Sequence, residues 1–227
     1  PIALLGVGAD WESRYPIPEA VIENINRAQS GDLGIGAVPQ IVSASVTFDL
    51  APFLTKIGRE DLLLGAPWLW IMAAGNQRIN LDHGRGKSPA CLGDIQPINR
   101  NDERILCVGA VKKGVEPSVD QIARYSNTGS RVEIYTYDTF TDMCPTGTSC
   151  ATPAITAAAA AVVAAVPGLS AEQVKLSILN ASDERELEIE TGSSGVTDAS
   201  APKLRIKFFN PLTMTTRAIG EAKKLIP

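Results

Sequence analysis

Histidine is nearly missing from this chain: His83 is the only one among 227 residues. One histidine and four cysteines show no Cys/His spacing of the kind that holds zinc, and four cysteines in a chain this long do not make a disulfide framework. Basic residues are outnumbered. With 21 Lys and Arg against 25 Asp and Glu, the net charge is −4, which argues against a nucleic-acid surface. The nearest thing to a basic stripe is Lys203, Arg205 and Lys207, alternating with Leu204, Ile206 and Phe208 as an exposed strand face would. No apolar run reaches membrane-spanning length, since the stretch Ala154 to Val166 is short and alanine-rich. What remains is the composition of a globular protein, 44% hydrophobic and 20% charged, long enough for one domain with a real core.

Apolar runs at Ile2–Val7, Ile41–Val46, Trp68–Ala73, Ile105–Val111 and Val132–Tyr137 alternate, at first, with helical patterns at Pro18–Gln29 and Pro52–Leu64. Buried parallel strands with crossover helices on the sheet faces read this way, so the expected class is α/β. Ser170 with Gln173 forms a capping box opening a helix through Val174, Ile178 and Leu179. The acidic run Asp183 to Glu190 reads most simply as a solvated helix end or loop. Gly192 to Pro202 reads as a linker, followed by a short strand and a last helix over Thr213 to Leu225. Gly6-Val7-Gly8 after the first strand lacks the third glycine of a dinucleotide loop and is followed by Asp10 and Glu12, so that reading is rejected.

The chemistry-bearing string is Gly147-Thr148-Ser149-Cys150-Ala151-Thr152-Pro153, a small-residue turn ahead of the apolar run. A serine at a helix N-terminus sits where backbone N–H groups and the positive end of the macrodipole stabilise developing negative charge. On the helix alone, a Ser/Thr N-cap is the simpler explanation. A second string, Leu69 to Asn76, is a buried strand ending Ala73-Ala74-Gly75-Asn76, where Asn76 alone would read as a turn residue. Together and in this order, the two strings resemble the serine and oxyanion motifs of the subtilisin-like serine proteases (subtilases). Cys150 and Ala154 depart from the family's usual Met and His. The resemblance extends to Ile105–Val111, to Arg124-Tyr125-Ser126-Asn127-Thr128-Gly129, and to the two helices after the serine.

The resemblance implies a three-layer αβα fold with a mostly parallel sheet, incomplete at its N-terminal side. Residues 1–190 would be the C-terminal portion of the catalytic domain, and 191–227 a linker, strand and helix completing it. Ser149 would be the nucleophile and Asn76 the oxyanion donor. Ser45, Val46 and Thr47 would pair with an extended polypeptide substrate, and Ala73, Ala74 and Gly75 would line its first specificity pocket. Thr47 stands where the family favours glycine, and its branched side chain would crowd a peptide backbone.

The family's aspartate and histidine strings, which activate the serine, are not found here. His83 sits in the Gly- and charge-rich loop Asp82-His83-Gly84-Arg85-Gly86, where the family places no base. The expectation is therefore a companion N-terminal fragment that supplies Asp and His; the alternative is a catalytically dead, protein-binding module. No cofactor is required, and calcium, frequent in that family, finds no ligand-rich loop to which a site can be assigned. No residue is assigned to a metal, no nucleic-acid or membrane partner is expected, and the location is expected to be secreted or extracytoplasmic. The absence of a signal peptide says little, because the start of the chain looks truncated relative to the family. Cys91 and Cys107 flank one loop and would pair in an oxidising compartment. Cys150 stands where the family has a residue that packs under the active site, so the resemblance implies a small buried thiol there; a Cys144–Cys150 bridge is the alternative, at the cost of straining a tight turn.

Overall fold

The computed structural model describes residues 27, 30, 41–45, 68–82, 104–114, 120–139, 144, 146–190 and 203–226. Within them the strands are β1 (Ile41–Ala44), β2 (Leu69–Ala73), β3 (Ile105–Lys112), β4 (Gln121–Ile122), β5 (Ile134–Tyr137), β6 (Asp183–Glu188) and β7 (Lys203–Phe208). The helices are α1 (Thr148–Ala165), α2 (Ala171–Ala181) and α3 (Pro211–Lys223). They form one mixed sheet in the order β1-β2-β3-β5-β7-β6, with β4 pairing onto β3. The β1-β2, β2-β3, β3-β5 and β5-β7 pairs are parallel, whereas β6 and β4 run antiparallel to their neighbours. The continuous apolar character of β2 and β3 follows from this, because a central parallel strand is covered on both faces. All five residues of β2 are buried.

Two sequence expectations are corrected. The acidic run is neither a helix end nor a loop: Asp183–Glu188 is strand β6. Its carboxylates face the basic residues of β7, with Glu184 opposite Lys207, Glu186 opposite Arg205 and Glu188 opposite Lys203. Opposite charges across an antiparallel pair stabilise it, so the basic stripe is matched along its length. The second correction concerns α1, which begins six residues before the apolar run, at Thr148. Its 18 residues are long and apolar enough to cross a bilayer on those two criteria. Here α1 lies against β1, β2, β3 and β5 and against α3, with Ala151, Ile155, Ala159 and Val162 fully buried. That is the placement of a core helix. Small side chains let it approach the sheet, and the Thr156 and Ser43 hydroxyls bond at 2.9 Å between α1 and β1.

The capping box of α2 is present in both directions, Gln173 N donating to Ser170 Oγ at 3.2 Å and Ser170 N to Gln173 Oε1 at 2.8 Å. The last helix opens on Asn210 as N-cap with Pro211 following, a pairing whose missing N–H costs nothing at that position. At the far side of the sheet, buried Asp120 accepts from Tyr137 Oη at 2.7 Å and from Arg185 at 3.1 Å. This ties together the segments around β4, β5 and β6. The expected strand Ile2–Val7, the helix Pro52–Leu64 and the linker Gly192–Pro202 lie outside the described residues, as does nearly all of Pro18–Gln29.

Candidate active site

Strand β2 delivers Asn76. The chain leaves the sheet at Ala74, turns at Gly75 with φ 97°, and exposes Asn76. The turn is braced from the loop after β4 by Asn127, which is fully buried. Asn127 Oδ1 accepts from Gln77 N and Ile79 N, both at 3.1 Å. Its Nδ2 donates to Ala74 O and Gln77 Oε1, both at 2.8 Å. Its own backbone N donates to Gly75 O at 3.0 Å. This side chain thus braces the Ala74–Ile79 segment at Ala74, Gln77 and Ile79.

The serine comes from the start of α1. Gly147 is the N-cap, at φ 130° and ψ 153°, in the region open to glycine and strained for other residues. Its carbonyl accepts from Cys150 N at 2.9 Å and Ala151 N at 3.3 Å, which closes the first turn. No side chain caps this helix. Ser149 therefore lies inside the first turn, half-buried, and the N-cap explanation of the serine is set aside.

Thr148 couples the two motifs. Its N–H donates to Asn76 Oδ1 at 3.0 Å, and its hydroxyl donates to the same oxygen at 2.9 Å while accepting from Gly75 N at 3.1 Å. A backbone N–H can only donate, so the atom facing Thr148 must be the amide oxygen, and the Asn76 NH2 points the other way. It points toward the serine. A methyl group placed on Gly147 would lie 2.9 Å from Ser149 Oγ, 3.5 Å from Asn76 Nδ2 and 3.7 Å from Ser149 N. A hydroxyl, a neutral amide donor and a backbone N–H thus converge on one small space, kept open because residue 147 has no side chain. That set suits attack on a carbonyl and stabilisation of the resulting oxyanion.

Beside the turn, the Tyr125 hydroxyl accepts from Gly147 N at 2.9 Å and donates to Asp138 Oδ2. Burial, and then the hydrogen bond to Asp138, push the Tyr125 phenol well above its ordinary range. The cysteine expectation is corrected: Cys144 and Cys150 are joined by a disulfide. Their Cα atoms are 5.6 Å apart, within the ordinary range for a bridge. Cys150 therefore offers no thiolate. Cys107 is also disulfide-bonded, while Cys91 lies outside the described residues.

Val46, Thr47 and His83 lie outside the described residues too. Ser45 is half-buried at the end of β1, whereas Ala73, Ala74 and Gly75 are buried. Ala74 O and both backbone polar groups of Gly75 are engaged within the protein. Among the described residues no group of His, Cys, Asp and Glu could hold a metal ion. Sequence reasoning assigned no role to Thr148, Asn127, Tyr125 or Asp138. Thr148, Asn127 and Tyr125 stood within recognised strings, but Asp138, just after β5, carried no local signal.

Comparison with known proteins bears on the family and the fold. The subtilase family model matches residues 20–200. No curated protein matches by sequence. Among solved structures, the chain resembles one from work on the assembly of the subtilase cytotoxin SubAB, with a TM-score of 0.60 at 15% identity over 91% of this chain and 67% of that one. The A-subunit of the AB5 toxin from E. coli aligns with a TM-score of 0.58 at 15% identity, over 91% of this chain and 68% of that one. The prenylagaramide maturation protease PagA follows at 0.52 and 18%, over 92% and 69%. At such identities the structures speak for a shared subtilisin-like α/β fold. The family model spans most of the sequence, and the chain belongs to the subtilase family.

Proposed function

We propose that this chain carries the nucleophile and oxyanion hole of a subtilisin-type serine endopeptidase, with the catalytic histidine and aspartate supplied by a segment outside this sequence. The observation that carries the reading is the convergence of Ser149 Oγ, Ser149 N and Asn76 Nδ2 over Gly147. Ser149 Oγ attacks a peptide carbonyl of a polypeptide substrate. Asn76 Nδ2–H and the Ser149 N–H stabilise the oxyanion, and the histidine takes the serine proton and later returns it to the leaving amine. No cofactor enters these steps. With cysteines 107, 144 and 150 all disulfide-bonded, an oxidising, extracytoplasmic setting fits.

The single histidine of the sequence favours one other reading, a protein-binding module that no longer cuts. Intact mass spectrometry of the native sample, with and without a fluorophosphonate, separates the two. The protease reading expects a second polypeptide and a label on Ser149 that Ser149→Ala abolishes. A single unlabelled species of this chain's mass would overturn it in favour of the binding module.

A further inference from the structure

Asp138 is a buried carboxylate that the proposed reaction does not use. It is 2% exposed and, among the described residues, its carboxylate is met by hydroxyls: Tyr125 Oη, Thr139 Oγ1 at 2.9 Å and Thr146 Oγ1 at 3.4 Å. Among the described residues no lysine or arginine pairs with it. Burying a carboxylate without a cation is costly, and a neutral side chain would fill the same space at less cost. The charge must therefore be sought in what it does to its neighbours.

The direction of each bond is fixed by chemistry. A carboxylate only accepts and a backbone N–H only donates, so the one phenolic proton of Tyr125 goes to Asp138 and its lone pair faces Gly147 N, 2.9 Å away. A donor bonded to an anion becomes a better acceptor. Asp138 thereby strengthens the grip of Tyr125 on Gly147. That residue, at φ 130°, precedes the helix, so no helical ladder fixes its N–H. The next two residues are Thr148, which holds Asn76, and Ser149. Three successive segments meet here: the loop after β4, the end of β5, and the N-cap of α1.

We propose that Tyr125 and Asp138 are a positioning pair that sets the Gly147 peptide, and through it holds Ser149 and Asn76 in register. The proposal rests on Ser149 being the nucleophile. Neither residue belongs to the proposed reacting set of Ser149 and Asn76. A 1 Å displacement of reacting groups costs up to about 100-fold in rate, and a turn that loses one of several restraints should lose about 10-fold.

Two variants test it in the full chain: Tyr125→Phe, which keeps the ring, and Asp138→Asn, which keeps the shape. Amide hydrogen exchange is read at Gly147 and, as a control, along β3. The expected result is about 10-fold faster exchange at Gly147 in Tyr125→Phe and a smaller rise in Asp138→Asn, with β3 unchanged. In the native assembly with its Asp/His segment, kcat falls about 10-fold while KM holds. Unchanged exchange at Gly147 overturns the proposal. So does a uniform rise across β3, which marks general destabilisation, and so does faster exchange at Gly147 with kcat unaltered. If the unmodified assembly shows no turnover, the protease reading fails on its own, while exchange at Gly147 still decides whether the pair holds the turn.

Discussion

Asn127 offers the sharpest test of how the site is held. Its side chain is fully buried and, among the described residues, makes four hydrogen bonds to Ala74, Gln77 and Ile79. Asn127→Leu keeps the volume roughly constant and removes all four. A buried hydrogen bond contributes about 1 kcal/mol net. Gln77 is exposed and Ile79 half-buried, so water recovers part of what their groups lose, and the expected destabilisation is about 3 kcal/mol. Urea unfolding should show it as a midpoint lowered by about 1 M with the slope unchanged, since about the same surface is exposed on unfolding. The variant should also lose fluorophosphonate labelling of Ser149 in the native assembly beyond what stability explains, because the path of Asn76 depends on the same bonds. A destabilisation below about 1 kcal/mol would refute the view that this one amide organises the segment.

Asn76→Ala should lower kcat by about 100- to 1,000-fold with KM nearly unchanged, the range measured for an oxyanion donor in subtilisin itself; steady-state kinetics of the native assembly would show it. Replacing both Cys144 and Cys150 by alanine opens a small loop and should cost about 2 kcal/mol in the chain-entropy picture, read as a lowered urea midpoint; an unchanged midpoint would mean the bridge restrains nothing in the unfolded chain. Alkaline pH should destabilise the fold. Tyr125, Tyr135 and Tyr137 are all raised above the ordinary phenol value of 10.0, chiefly by burial and then by Asp138, Asp82 and Asp120 respectively. A phenol with a raised folded-state pKa keeps its proton longer in the native state, so its stabilisation is complete below pH 10 and fades as pH climbs further. Absorbance at 295 nm should therefore show fewer than the four tyrosines ionising near pH 10 in the native protein, and all four in urea.

Much of the fold was legible because its signals are local. The apolar runs of β2 and β3 are continuous since those strands are covered on both faces, and the Ser170/Gln173 box of α2 spans three residues. Strand β6 was not legible. Its sequence, Asp183-Glu184-Arg185-Glu186-Leu187-Glu188, has one apolar residue, and its strand character comes from Lys203, Arg205 and Lys207 lying opposite. The start of α1 was missed for a related reason: Thr148 to Thr152 look like turn residues until Thr148 and Thr152 are seen buried, with Thr148 held by Asn76.

By itself, then, the sequence determined which chemical groups are available and in what order, since Ser149 and Asn76 stand in strings whose neighbours dictate a tight turn and a strand end. Tertiary structure alone decided where those groups point. The Asn76 amide is oriented by Thr148, 72 residues away, and the serine turn is gripped by Tyr125, 22 residues before Gly147. Hydrogen-bond direction depends on which partner the folded chain brings within about 3 Å, and no local pattern encodes a partner that distant.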